Sequence, residues 1–329
     1  MPAHVTQDRF LGALLGMAIG DAMGMPVAGW TATQIRGRLG RVTTYHRRVF
    51  PDGVEIKPGE FTDVSEIALC IVESITTNLG AVDPDNIGAR MVFLARGESK
   101  RWMGAETRAA LERAAERMSY VVVLDEDGPA TGDVAARGIP IGLLHAGGDL
   151  DAELLRNDAE TVTRITHGSP VAIAATTAVA YGMVLAAGGE SPPADWLTAT
   201  AAFVGVGTIA AELDLMGQRL AAGVSADEVI AEAGTGDDAS AVVAGAFAAA
   251  ALASRFEDAV ESAANAGGAA DARAAIAGAL AGARLGATGI PQRLIDDLEG
   301  RIYVSLAAPW FHQRAMMQTE GAIRHDSRD

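Results

Sequence analysis

Four glycines at four-residue intervals, Gly12, Gly16, Gly20 and Gly24, run through the apolar stretch near the start of this chain. In a helix, residues four apart lie one above the other on the same face. The spacing predicts a helix over 8–23 with a bare face that a second helix can approach closely. The rest of the chain fits that geometry. Aromatic residues are only 5% of 329, while apolar residues reach 49% and glycines number 38. A core of such small side chains favours helices packed on helices over sandwiched sheets, and the apolar share excludes global disorder.

Helical spacing predicts further helices near 65–79, 84–96, 104–118, 151–165, 169–187, 194–204, 208–222, 225–233, 239–253, 256–265, 272–285 and 291–299. Only Tyr120-Val121-Val122-Val123-Leu124 reads as a strand, and one short run does not make a sheet. Residues 30–60 mix Arg, Tyr, Pro and Gly, with Pro51-Asp52-Gly53 and Lys57-Pro58-Gly59 among them. They read as a long loop of the kind that carries function in compact domains. No linker-like stretch divides the chain. The expected organisation is a single all-α domain over 1–329.

The net charge of −16, from 26 basic and 42 acidic residues, argues against a nucleic-acid-binding surface. It leaves room for a small anionic ligand held by local arginines or helix N-termini. The single cysteine, Cys70, excludes an intramolecular disulfide and a multi-cysteine metal site, and its apolar neighbours mark it as a small core residue. Val171 to Ala187 falls short of the ~20 residues of a membrane span and carries Thr176, Thr177 and Tyr181, so a buried helix is expected. Met1-Pro2-Ala3-His4 lacks a charged-then-apolar signal pattern. The expectation is a soluble cytoplasmic protein with neither nucleic acid nor membrane as partner.

Four segments could carry chemistry. Gly20-Asp21-Ala22-Met23-Gly24 places a carboxylate at a helix end, where alone it would be a solvated charge. In Gly59-Glu60-Phe61-Thr62-Asp63-Val64-Ser65-Glu66, Asp63 with Glu66 three residues on matches a helix capping box, yet a hydroxyl beside a carboxylate also offers hard oxygens to a cation. Asp271, after Gly267-Gly268, reads on its own as another N-terminal cap. His167, in Thr166-His167-Gly168-Ser169-Pro170, has no second His or Cys at ligand spacing. His-Glu-x-x-His, P-loop and Gly-x-Ser-x-Gly patterns do not occur.

Taken in order, these segments resemble the motifs of the ADP-ribosylglycohydrolase family. The similarity begins at Asp8-Arg9-Phe10-Leu11-Gly12 and runs through Gly20 to Gly24 and Gly59 to Asp63. It continues through Trp102-Met103-Gly104-Ala105-Glu106-Thr107, Ala136-Arg137-Gly138-Ile139-Pro140, Thr166 to Pro170, and Gly267 to Gly286 with Ile290-Pro291 after it. The resemblance implies an orthogonal multi-helix bundle around an acidic cleft. In the family that cleft binds two Mg²⁺ and an ADP-ribosyl group, and water cleaves the bond at the ribose anomeric carbon.

The departures bear on chemistry. Where the family usually reads Thr-Asp-Asp-Thr, this chain has Thr62-Asp63-Val64-Ser65, and Asp-x-Asp-Thr is replaced by Ala269-Ala270-Asp271-Ala272. Ala28 stands where a glutamate often follows Gly-Asp-Ala-x-Gly, and Gly132-Asp133 replaces Asn-Gly. Thr62, Asp63 and Asp271 remain as a metal set for at most one Mg²⁺. Two carboxylates cannot neutralise two divalent ions, and Mg²⁺ favours octahedral oxygen coordination. Val64 and Ala269 put apolar groups where ligands would stand.

The expected function is hydrolysis of an N- or O-glycosidic ribosyl bond in an ADP-ribosylated or other small nucleotide-like substrate, without the two-magnesium mechanism. Such bonds break through an oxocarbenium-like transition state that needs a nearby carboxylate and an acid. Asp63 and Asp271 are the leading catalytic candidates, with Glu60 and Glu66 as alternative acids or bases. Substrate-binding candidates are Asp21, Arg47, Arg48, Gly132, Asp133, Arg137, His167 and Gly268, the arginines as phosphate ligands. An inactive relative that binds ADP-ribose or a nucleotide, and a structural scaffold, are the other readings open.

Overall fold

The computed structural model describes residues 5–117, 120 and 126–326, with side chains to Met317. The strand expected at 120–124 lies, apart from Tyr120, outside these residues. The described chain is helical almost throughout. Its helices are α1 (Gln7–Gly24), α2 (Ala32–Leu39), α3 (Asp63–Thr77), α4 (Pro84–Ala95), α5 (Ala105–Arg117), α6 (Gly132–Ala135), α7 (Gly138–His145), α8 (Ala152–Arg164) and α9 (Pro170–Gly188). After these come α10 (Trp196–Val204), α11 (Thr208–Ala221), α12 (Ala226–Ala233), α13 (Ala239–Leu252), α14 (Phe256–Asn265), α15 (Ala270–Leu285), α16 (Gln292–Asp296) and α17 (Arg301–Asp326).

The glycine face of α1 meets α15. Gly12 lies against Gly282, Gly16 against Gly278, Gly20 against Ala274 and Gly24 against Ala270, so the two helices run antiparallel with their backbones in contact. A methyl group at Gly16 or Gly20 would collide with the carbonyl of Gly278 or Ala274. α15 supplies its own small residues at the same four-residue spacing, and the two bare stripes interlock. α9 and α13 are apolar on nearly every side and buried, as an all-round hydrophobic helix must be. Gly182 of α9 receives the Phe247 ring, and Gly138 and Gly142 let α7 lie on the α9 backbone. By length and composition, Gln7–Val27 and Pro170–Gly188 could each cross a membrane, but 89% and 61% of their apolar windows are buried inside the protein. They form its core here.

Several elements depart from the sequence reading. The segment 30–60 is not a continuous loop. It holds α2, opened by a Thr31–Gln34 capping box, and a short hairpin of β1 (Arg48–Val49) and β2 (Glu55–Ile56), paired Arg48 to Ile56 and Val49 to Glu55. Pro51-Asp52-Gly53 makes the hairpin turn, where the Asp52 carboxylate accepts the Val54 N–H at 3.1 Å. α6, α7 and α17 are helices where none was expected, and α16 stops at Asp296. Cys70 is half-buried and lines a groove with Glu66, Glu73, Arg90 and Tyr303, so it is not a core residue. Burial still pushes its thiol up to about 12.

Candidate active site

The antiparallel seam brings the last turn of α1 beside the first turn of α15, which places Asp21 near Asp271. α3 starts against the same point. The Asp21 carboxylate accepts the Thr62 N–H at 2.9 Å, the Thr62 hydroxyl at 2.9 Å, the Ser65 N–H at 3.1 Å and the Ser65 hydroxyl at 2.7 Å. Asp21 thus caps α3 from another helix. The capping box expected from Asp63 and Glu66 does not form. The N-cap is Thr62, whose own hydroxyl reaches Val64 N–H only at 3.4 Å. Asp63 is therefore free of capping duty and buried. Ser65 was missed as a site residue, although two hydroxyls three positions apart at a helix start were a readable signal.

Burial pushes the Asp21 carboxyl up to about 6 against the pull of those four hydrogen bonds. Asp63 is raised well above the ordinary carboxylate range, first by burial and then by repulsion from Asp133, Asp21 and Asp271. Asp271 is likewise raised to about 6 by burial, then by Asp21, while N–H groups of its own helix turn pull the other way. Four aspartates from α1, α3, α6 and α15 therefore share one electrostatic neighbourhood. Arg137, buried one turn beyond Asp133, is lowered to about 10 by burial and drawn back by Asp133 and Asp63. His167 is buried and held down to about 4 by burial, then by Arg137. Its Nδ1 stands 2.8 Å from the Thr166 hydroxyl, and its Nε2 has no partner among the described residues.

The remaining expected residues have other duties. Arg47 is exposed and pairs across the hairpin with Glu55 at 2.6 Å. Arg48 donates to the carbonyls of Ala28 at 2.6 Å and Pro26 at 3.3 Å, and lies over the rings of Trp30 and Phe50. Glu60 pairs with Arg101 and accepts the Lys57 N–H at 2.9 Å. Glu66 hydrogen-bonds Ser99 and is raised by burial, with one oxygen lacking a partner among the described residues. Gly132 fixes α6: its N–H donates to the Asp237 carbonyl at 2.8 Å, and a side chain there would strike Val242. Gly268 adopts a positive φ of 63° and exchanges backbone hydrogen bonds with Trp30 and Gly29, shaping the turn ahead of Asp271. Arg273, missed in the sequence, is buried and holds that turn through the carbonyls of Ala263 and Gly267. Among the described residues, no group of three or more His, Cys, Asp and Glu is placed to hold a metal ion.

The sequence model of the ADP-ribosylglycohydrolase family matches residues 2–321. YegU of Escherichia coli is 31% identical over 193 residues, covering 56% of this chain and 55% of its own length. The ADP-ribosyl-[dinitrogen reductase] glycohydrolase of Rhodospirillum rubrum is 29% identical over 178 residues, covering 53% of this chain and 56% of its own length. The matched region thus spans little more than half the length of these curated relatives. A solved structure described as an ADP-ribosylglycohydrolase-related protein complex superposes with a TM-score of 0.70 at 30% identity, covering 94% of this chain and 99% of that one.

Proposed function

The chain belongs to the ADP-ribosylglycohydrolase family, and from that premise we propose that it hydrolyses a ribosyl bond in an ADP-ribosylated or nucleotide-like substrate without a two-magnesium centre. The observation that carries the reading is the aspartate cluster, set against the buried guanidinium of Arg137. When the glycosidic bond lengthens, positive charge develops on the ribose ring. Carboxylates fixed beforehand in a water-poor site stabilise such charge more strongly than water does, and their mutual repulsion falls as it appears. In this reading the charges of Asp63 and Asp271 act on it. Water bonds to the anomeric carbon and gives up one proton, and the leaving group departs with the bonding pair and takes a proton from solvent. The nucleotide end has room in a cleft of about 780 Å³ beside the Gly268 turn, where Arg36 makes no ion pair among the described residues.

The residues present do not fit two magnesium ions. Both oxygens of Asp21 are occupied by hydrogen-bond donors from Thr62 and Ser65. Val64 is buried, and Ala269 and Ala272 offer no oxygen beyond the backbone. The test is incubation with ADP-ribosyl-arginine, ADP-ribosyl-serine, ADP-ribose and simple nucleotides, with and without EDTA. Release of the ribosyl product, unchanged by EDTA, is expected. Tight ADP-ribose binding by calorimetry with no turnover at high enzyme concentration overturns the hydrolase reading, and loss of turnover in EDTA overturns its metal independence.

A further inference from the structure

Resting on that hydrolase reading, we propose that Asp133 is the general base, taking the proton of the attacking water as its oxygen bonds to the anomeric carbon. The other carboxylates are engaged or enclosed. Asp21 has its four donors, Glu60 has Arg101 and a backbone N–H, and Glu66 has Ser99. Asp63 is 4% exposed, and Asp271 accepts N–H groups of its own helix turn. Asp133 shares its partial exposure with Asp271 but has no N–H groups of its own turn acting on it. It is partly exposed, and its carboxylate accepts no hydrogen bond from the described residues, so its lone pairs are free for water. The space above it is kept open by Gly104, where an added methyl would meet nothing nearer than the Asp133 Oδ2 at 3.8 Å.

A second observation points to a ligand in the same electrostatic neighbourhood. The His167 Nε2 is buried and has no partner among the described residues, and Arg137 and Asp133 are the charged groups acting on that ring. A buried imidazole nitrogen without a partner carries the full penalty of desolvation, which a substrate hydroxyl would relieve. The buried Arg137 guanidinium donates to the Val162 carbonyl at 3.2 Å and acts on Asp133 and Asp63 through its charge alone. In the step itself the water oxygen bonds to the anomeric carbon while the glycosidic bond breaks. The leaving group carries off the bonding pair and takes a solvent proton. The water proton passes to Asp133 and then to solvent.

The test compares wild type, Asp133→Asn and Asp133→Ala with the substrate that the wild type cleaves. Removing a general base is expected to lower kcat by about 10²- to 10⁴-fold with KM little changed. Azide is an anion that needs no deprotonation, so it should restore turnover to Asp133→Ala and yield a ribosyl azide. An unfolded or merely loosened variant cannot be rescued in this way. A kcat for Asp133→Asn within about twofold of wild type overturns the assignment and leaves the hydrolase reading standing. Lost turnover with no azide rescue also overturns it. If the wild type cleaves none of the substrates, the hydrolase reading falls and the assignment with it.

Discussion

At Asp21 four hydrogen bonds converge on two carboxylate oxygens, tying the end of α1 to the start of α3. Asp21→Ala would leave the Thr62 and Ser65 N–H groups and both hydroxyls without acceptors in a buried place. We expect it to lower the unfolding free energy by about 3–5 kcal/mol, read as a drop in the urea midpoint at unchanged slope. His167 makes a pH-dependent contribution of defined sign. Burial, and then Arg137, hold its folded pKa at about 4, below the ordinary 6.5, with Asp133 acting the other way. Its stabilisation is present above pH 6.5 and is lost as pH falls toward 4. Asp21 and Asp271, raised to about 6, act oppositely as pH falls. The difference between wild type and His167→Gln isolates the histidine: the variant should lose less stability between pH 6.5 and 4, and identical slopes would refute this. Asp63, Arg137 and Asp271, which share one electrostatic neighbourhood, were singled out from motif-like segments, and Asp133 from a departure beside one. The duties of Arg47 and Arg48 were not legible, because their partners, Glu55 and the carbonyls of Pro26 and Ala28, are set by a hairpin and a turn that local spacing does not encode.

The α1–α15 seam admits a sharp contrast between two glycine substitutions. Gly16→Ala would drive a methyl into the Gly278 backbone, and a carbonyl in a helix cannot step aside. We expect a loss of about 3 kcal/mol or failure to fold. Gly37→Ala, inside α2 with nothing near the added methyl, should stabilise by about 0.5–1 kcal/mol. Thermal melts of the pair check both signs together. Periodicity located most helices within two residues, because long apolar repeats are strong signals. It failed at α7 and α17, which carry Pro140 and Pro309, residues that ordinarily mark a break. In α7, Gly138 and Gly142 serve contact with α9, a tertiary gain invisible in the local sequence. The stripe Ala270, Ala274, Gly278, Gly282 was in plain view, yet which helix faced α1 could not be told until the fold paired them.

Across the whole molecule, 42 acidic residues against 26 basic ones leave a net charge of −16, so the folded surface repels itself. Screening shortens the reach of that repulsion, with a Debye length of about 10 Å at 0.1 M salt. The melting temperature should therefore rise as NaCl increases from low millimolar to about 0.2 M, and a fall would mean that the surface ion pairs outweigh net repulsion. Buried groups such as Asp63 lie beyond the reach of that screening. The seam at the centre also makes the spacing of Asp21 and Asp271 a stepwise quantity. Small slides of α1 along α15 carry each glycine off the carbonyl it lies against and bring bulkier neighbours onto it, and the next seated register lies one helical turn, about 5.4 Å, away. Fine adjustment of the scaffold is closed to this fold. Divergence of its chemistry must proceed by exchanging side chains on an unmoving frame.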